Sequence, residues 1–295
     1  MHLLLVVVAA WVALWYHGHY TLLAAITLAY APSFLRPSHH LGDRKWPALV
    51  RAAFWTHVHR YLSLKVERLA ELDPSKQYVF GLHPHGILVL SRAATYGPVW
   101  PTLFPGIDTR TLAATPLFQA PLVREICLWL GAVDARRAVA AKILAQGTSI
   151  LLYPGGSREI FTTDGDSKET VLELSRRLGF IRLAVQSGAS LVPVFTFGEK
   201  WAYSRVMAPR RVWRAALRYF KFPLIAFWGR WFTCTPRRVR LGMVVGRPIE
   251  VKQCSEPSVD ELRVIMGVYA AAVRQLFEEH KAAYGYAEDE TLVIL

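Results

Sequence analysis

The sequence predicts an α/β fold: a largely parallel sheet flanked by helices, preceded by an N-terminal hydrophobic hairpin. Three observations predict it. The β-rich runs "QYVFGL" (Gln77 to Leu82), "TSILLYPGG" (Thr148 to Gly156) and "SLVPVFTFGE" (Ser190 to Glu199) each end in polar or glycine-containing sequence. Helical candidates separate them, at Pro121 to Leu130, Arg136 to Gln146 and Thr170 to Ser187. Strands alternating with helices argue for parallel pairing, which collects functional groups where strands end in loops. The third observation is the front of the chain, which is apolar and uncharged. With 295 residues, 53% of them hydrophobic, there is ample material for a core, and disorder of the whole chain is excluded.

Residues 1–32 contain "LLLVVVAAWVALWY" (Leu3 to Tyr16) and "YTLLAAITLAYA" (Tyr20 to Ala31), joined by "HGH". Each half is shorter than the roughly 20 residues of a spanning helix, and the two together are too long for one untilted span. A hairpin that dips into a bilayer and turns at Gly18 fits best, with a single span as the alternative. A signal peptide fits poorly, because there is no basic leader and the only Ala-x-Ala, at Ala29 to Ala31, runs into Pro32. Positive charge first appears at Arg36, Arg44 and Lys45, which places the body of the protein in the cytosol. Cys127, Cys234 and Cys254 are scattered without a CxxC pair, consistent with a reducing compartment.

Residues 33–76 read as amphipathic linker helices. From Trp46 to Glu71 the residues Leu49, Ala52, Ala53, Val58 and Leu62 fall near helical spacing, until Asp73-Pro74-Ser75 breaks the pattern. Residues 77–295 form the main domain. Lys plus Arg outnumber Asp plus Glu by 35 to 22, so the partner should be anionic: a lipid surface, a phosphorylated ligand or a nucleic acid. The segment 200–240 has no Asp or Glu and holds Trp201, Trp213, Trp228 and Trp231. Within it Arg211, Arg214, Arg218 and Lys221 align along one face of a helix, and a basic face with aromatics suits a lipid interface. Nucleic-acid binding ranks below that, given the apolar front. The last helix, Ser258 to Lys281, opens with Ser258 and Glu261 at capping-box spacing.

Chemistry centres on "YVFGLHPHGILVL" (Tyr78 to Leu90), where His83 and His85 flank a proline just beyond a strand. A zinc site would need a third ligand, and only the pair His57 and His59 lies nearby, without HExxH or a similar carboxylate signature. "GGSRE" begins like a nucleophile elbow at Gly155, but Glu159 occupies the last position of GxSxG. A neutral imidazole beside a membrane could instead take a proton from a lipid hydroxyl attacking an activated carbonyl, helped by a carboxylate. The carboxylate candidates are Glu159 and Glu199, with Glu125 and Asp134 weaker. The glycine turn offers N–H groups beside Arg158 for a phosphate or an oxyanion. These local patterns support a base and leave a metal open.

In combination the segments resemble the diacylglycerol acyltransferase type 2 family, which includes monoacylglycerol and wax alcohol acyltransferases. The likeness rests on "FGLHPHG" (Phe80 to Gly86), "FPGI" (Phe104 to Ile107), "PLVRE" (Pro121 to Glu125), "YPGGSRE" (Tyr153 to Glu159), "RRLGFIRLAVQSGASLVPVFTFGE" (Arg176 to Glu199), "VVGRPI" (Val244 to Ile249) and "LFEEHKAAYG" (Leu276 to Gly285). It implies a membrane-anchored, glycerolipid-acyltransferase-like domain. The implied reaction moves a fatty acyl group from acyl-CoA, a co-substrate, to diacylglycerol at the endoplasmic reticulum or lipid droplet surface. No cofactor or metal is implied. The resemblance assigns His85 as base, His83 as its support and Glu159 as carboxylate partner, with Gly155, Gly156 and Arg158 shaping the acyl-CoA site. Monoacylglycerol, a fatty alcohol or a lysophospholipid are alternative acceptors, and a homo-oligomer stays open. A more distant likeness, to acyltransferases with an HX4D motif, fails at the aspartate: Leu88 and Leu90 stand five residues beyond the two histidines. The carboxylate must therefore come from a distant segment. The family's C-terminal LHxxY pattern is also altered, the run here being "LRVIMGVY" with Arg263 and Tyr269.

Overall fold

The computed structural model describes residues 2–162, 164–206 and 225–295. The basic helix expected over Arg211 to Lys221 lies outside the described residues. The chain opens with α1 (His2–Tyr16) and α2 (Tyr20–Leu35), which turn about Gly18 at φ 75°. A hairpin is therefore what forms. Its helices have 15 and 16 residues, about 22 to 24 Å at 1.5 Å per residue, less than the roughly 30 Å of a bilayer core. No helix among the described residues is long and apolar enough to cross a membrane.

The hairpin is fastened to the body through α2. Arg124 and Glu125, in α7 (Val123–Trp129), are both buried and pair at 3.3 Å. Glu125 accepts hydrogen bonds from the hydroxyls of Tyr30 and Ser33 on α2, and Arg124 donates to the carbonyl of Arg36. The "PLVRE" run thus serves as the clasp for the hairpin.

Short helices follow: α3 (Ser38–Leu41), α4 (Pro47–Val50) and α5 (Phe54–Tyr61). The helix expected from Trp46 to Glu71 ends at Tyr61, because Ser63 takes φ 46° and Lys65–Arg68 becomes strand β1. Lys65-Val66-Glu67-Arg68 is an alternating sequence suited to a sheet edge, and it pairs in parallel with β10 (Gly242–Val245). The remaining strands of the main sheet are β2 (Tyr78–His83), β3 (Thr109–Ala113), β4 (Ala132–Asp134), β5 (Ser149–Leu152) and β7 (Ser190–Phe197). The seven strands run β1-β10-β7-β2-β5-β3-β4, and every neighbouring pair is parallel except β10 with β7. The sheet is mostly parallel, as its hydrophobic runs required.

Helices α8 (Arg137–Ala145) and α10 (Leu178–Ser187) cover one face together with the C-terminal helix Val259–His280. The capping box at Ser258 and Glu261 is formed in both directions, at 3.2 and 2.8 Å. Val79 and Phe195 face this layer, whereas Phe80, Leu82 and Val194 face Trp100 and Phe104 on the other side. Residues Thr170 to Leu172, expected in a helix, belong instead to β6 (Glu169–Leu172), which pairs in parallel with β11 (Thr291–Ile294). The β-branched pair Thr170-Val171 finds there a partner more than a hundred residues away, which no local pattern announces. β8 (Ser204–Arg205) and β9 (Phe227–Trp228) make a small separate ribbon.

Candidate active site

β2 lies between β7 and β5, so three strands deliver their C-terminal ends to one place. β2 ends in His83-Pro84-His85-Gly86, β5 runs into the turn containing Gly155 and Glu159, and β7 runs through Gly198 into Glu199. Sheet order alone therefore brings two carboxylates to the histidines from opposite sides.

His85 is half-buried, with its ring edge against Tyr153 at 5.2 Å between centroids. Its Nδ1 lies 2.7 Å from the carbonyl of Gly86. A carbonyl only accepts, so the proton sits on Nδ1 and Nε2 keeps its lone pair. Burial pulls the imidazole pKa below its ordinary value, with the Gly86 carbonyl opposing that shift. The ring is neutral near pH 7, in the form that can accept a proton.

His83 is fully buried, and burial takes its pKa down to about 3. Its Nε2 is 3.0 Å from the hydroxyl of Tyr269, which donates to the carbonyl of Gly81 at 3.1 Å. Since that hydroxyl has one proton, committed to Gly81, His83 donates from Nε2. Nδ1 is enclosed without a hydrogen-bond partner among the described residues. Thr196 donates to the carbonyl of His83 at 3.0 Å and fixes the turn from below.

Glu159 is fully buried and reaches the histidine turn, although through the main chain. Its Oε2 accepts the backbone N–H of His85 at 2.7 Å, and its Oε1 that of Glu173 at 3.0 Å. The ring of His85 leans on Gly86 instead. Burial raises the Glu159 pKa to about 7 against the pull of those two N–H donors. Glu199, also buried, accepts the backbone N–H of Ser91 at 2.7 Å and packs its other oxygen on Gly86. Burial likewise raises it to about 7, opposed by Ser91 and the Gly86 amide.

The glycine turn is less open than its sequence suggests. Gly155 is buried against the Glu159 carboxylate, and the N–H of Gly156 is taken by the carbonyl of Tyr153 at 3.0 Å. Arg158 is exposed, and Arg177 lies 3.5 Å from the Gly155 carbonyl. Of the other histidines, His59 is bound to the carbonyl of Ala93 at 2.8 Å while His57 is exposed, so neither joins the site. One group among the described residues, His39, His40 and Asp134, has ligand-like spacing. The Arg136 guanidinium already occupies it, donating to Asp134 at 3.1 Å and packing on His40. Tyr269 and Tyr153 are site residues that sequence reasoning passed over. The altered LHxxY pattern drew notice to Tyr269 without giving it a partner.

A mostly parallel α/β sheet thus gathers at its strand ends a neutral imidazole of fixed tautomer and two buried carboxylates. Comparison with known proteins gives the particular family. The family model "Diacylglycerol acyltransferase" matches residues 13–295, and the chain belongs to that family. It is 32% identical over 268 residues to 2-acylglycerol O-acyltransferase 1 of Bos taurus, covering 85% of this chain and 79% of that protein. The acyl-CoA wax alcohol acyltransferase 1 of Homo sapiens is 30% identical over 269 residues, covering 86% and 81%. Diacylglycerol O-acyltransferase 2A of Umbelopsis ramanniana is 32% identical over 263 residues, covering 82% and 73%. The crystal structure of the 1-acyl-sn-glycerophosphate acyltransferase of Thermotoga maritima overlaps 75% of this chain and 79% of its own at TM-score 0.44 and 17% identity. The protein is an acyltransferase.

Proposed function

We propose that the protein is a membrane-bound, acyl-CoA dependent O-acyltransferase that converts diacylglycerol to triacylglycerol, with His85 as general base. The observation that carries this reading is the hydrogen bond from His85 Nδ1 to the Gly86 carbonyl, which leaves a lone pair on Nε2 of the more accessible histidine. Nε2 takes the proton of the acceptor hydroxyl as its oxygen attacks the thioester carbonyl. The C–S bond then breaks, and the imidazolium returns the proton to the departing CoA sulfur, so one ester and one thiol leave. His83 and Tyr269 brace the turn, and Glu159 holds the main chain of the base. Gly155, Gly156 and Arg158 line the approach for acyl-CoA, Arg158 as the exposed cation. The hairpin sits in the endoplasmic reticulum membrane with the body in the cytosol, or on a lipid droplet.

The family relatives named for 2-acylglycerol and wax alcohol make monoacylglycerol and fatty alcohols the competing acceptors. A lysophospholipid is a further alternative. The test supplies membranes containing the protein with labelled acyl-CoA and each acceptor separately. Triacylglycerol should form from diacylglycerol, survive chelators, and fall about 10² to 10⁴-fold in His85→Ala, the usual contribution of a general base. Label appearing only in a phospholipid, or activity removed by a chelator and restored by zinc, would overturn the assignment.

A further inference from the structure

We propose that the loop at Trp231 and Phe232 is a second membrane-docking element, a wedge that enters the interface of a lipid surface carrying anionic headgroups. The proposal rests on the lipid-substrate reading above and adds to it a surface outside the acyl-transfer site.

The two aromatic side chains stand in the open, Trp231 at 70% and Phe232 at 87% exposure. Both also take left-handed backbone conformations, at φ 53° and 56°. Bulky L-residues avoid that region, and a strained pair persists only where the surroundings impose it. Here the loop base imposes it. Gly229 donates to the carbonyl of Thr233 at 2.7 Å, Arg230 to Thr235 at 2.8 Å and Thr233 back to Arg230 at 3.0 Å. The base is in turn tied to the body, with Tyr61 donating to the carbonyl of Pro236 at 2.7 Å and Tyr203 to that of Cys234 at 3.1 Å. Arg237 donates to the carbonyl of Ala202 at 2.9 Å, the end of α11 (Glu199–Ala202), whose first residue is the carboxylate packed on Gly86. The wedge is therefore held rigidly to the element that builds one side of the site.

The charge around the loop chooses the occupant. Arg230 lies over the Trp231 ring at 4.2 Å, Arg238 and Arg240 are exposed nearby, and the segment 200–240 has no acidic residue. Aromatic rings among arginines suit the headgroup layer, where the ring sinks and the cation meets phosphate. A single-stranded nucleic acid offers similar chemistry. The lipid surface is favoured because the same chain exposes an apolar hairpin, with Trp15 at 66% exposure.

The test uses the full chain reconstituted in nanodiscs of phosphatidylcholine, with and without phosphatidylserine. Phe232→Cys, in a Cys234→Ser background, carries a nitroxide, and Cys234→Ser alone corrects for labelling at Cys127 and Cys254. The expected result is a label open to oxygen and shielded from a nickel chelate, with shielding that deepens when phosphatidylserine is present. A label open to nickel in both discs overturns the proposal, as does one shielded from oxygen and nickel alike, one indifferent to phosphatidylserine, or one covered only by an added oligonucleotide. The double variant Trp231→Ser, Phe232→Ser should keep wild-type acyl transfer in detergent micelles and lose about ten-fold in anionic nanodiscs, as interfacial residence falls. Equal loss in both overturns docking. Absence of acyl transfer in the wild type would count against the enzyme assignment instead, leaving the label depth to be read independently.

Discussion

Gly86 and Gly155 are the positions where one methyl group would strike the two buried carboxylates of the site. A Cβ on Gly86 would fall on the Glu199 carboxylate, and one on Gly155 inside that of Glu159. Neither carboxylate can retreat, because each is buried and bound to a backbone N–H, of Ser91 and of His85 respectively. Gly86→Ala should therefore drive Glu199 from Ser91, strand a buried donor at about 1 to 3 kcal/mol, and shift the His85 ring away from its acceptor. A base misplaced by about 1 Å costs on the order of 10²-fold. The expected outcome is a folded protein with a lower melting temperature and kcat reduced by about that factor, at nearly unchanged KM for acyl-CoA, by steady-state kinetics. An unchanged kcat would sink the idea that Gly86 seats the carboxylate. At this scale His85 and Glu159 stood out in the sequence, because polar residues in glycine-bearing turns after strands are conspicuous, but their meeting through the main chain and not from ring to carboxylate was not legible. Tyr269 was not. It occupies an inward position on an amphipathic helix, where a tyrosine that braces His83 has the same spacing as one that merely fills the core.

The hairpin and α7 show how an element acquires a fixed place. Glu125 takes hydroxyls from Tyr30 and Ser33 while pairing with the buried Arg124. Removing one partner of such a pair leaves an uncompensated charge, which costs roughly 3 to 5 kcal/mol. Glu125→Ala should release the hairpin from the body, lowering the denaturant midpoint of the detergent-solubilised protein and exposing the chain between Arg36 and Lys45 to limited proteolysis. A midpoint equal to wild type would show that the clasp carries no stability. Elements whose pattern is self-contained were readable: the turn at Gly18, the strand Tyr78–His83 and the box at Ser258. β1 and β6 were not, since their few residues are strands only by virtue of β10 and β11, partners supplied by the far end of the chain. His57 and His59, weighed as further metal ligands, take no part in the site, His59 being absorbed by the carbonyl of Ala93.

Across the whole molecule, the order β7-β2-β5 concentrates two buried carboxylates around one turn, and this couples stability to pH. Burial raises both Glu159 and Glu199 to about 7, whereas an unfolded glutamate titrates near about 4.3. Below the unfolded value both states hold their protons, and the contribution of these groups to stability is fully present. Between the two values the unfolded chain releases protons that the folded chain retains, so stability falls as pH rises and is lost once pH exceeds the folded value. His85 pulls in the opposite sense: burial lowers its pKa, so its contribution to stability is present above the ordinary imidazole value and is lost as pH falls. The two carboxylates and the imidazole thus set opposite pH trends on stability. Glu199→Gln separates these demands, since an amide reproduces the neutral carboxyl and still accepts from Ser91. Melting temperatures taken from pH 5 to pH 8 should show the variant gaining on the wild type as pH increases, by on the order of 1 to 3 kcal/mol at the top of the range. Parallel melting curves would mean that Glu199 is already ionised in the fold, held by the amides of Ser91 and Gly86 more strongly than its burial opposes them.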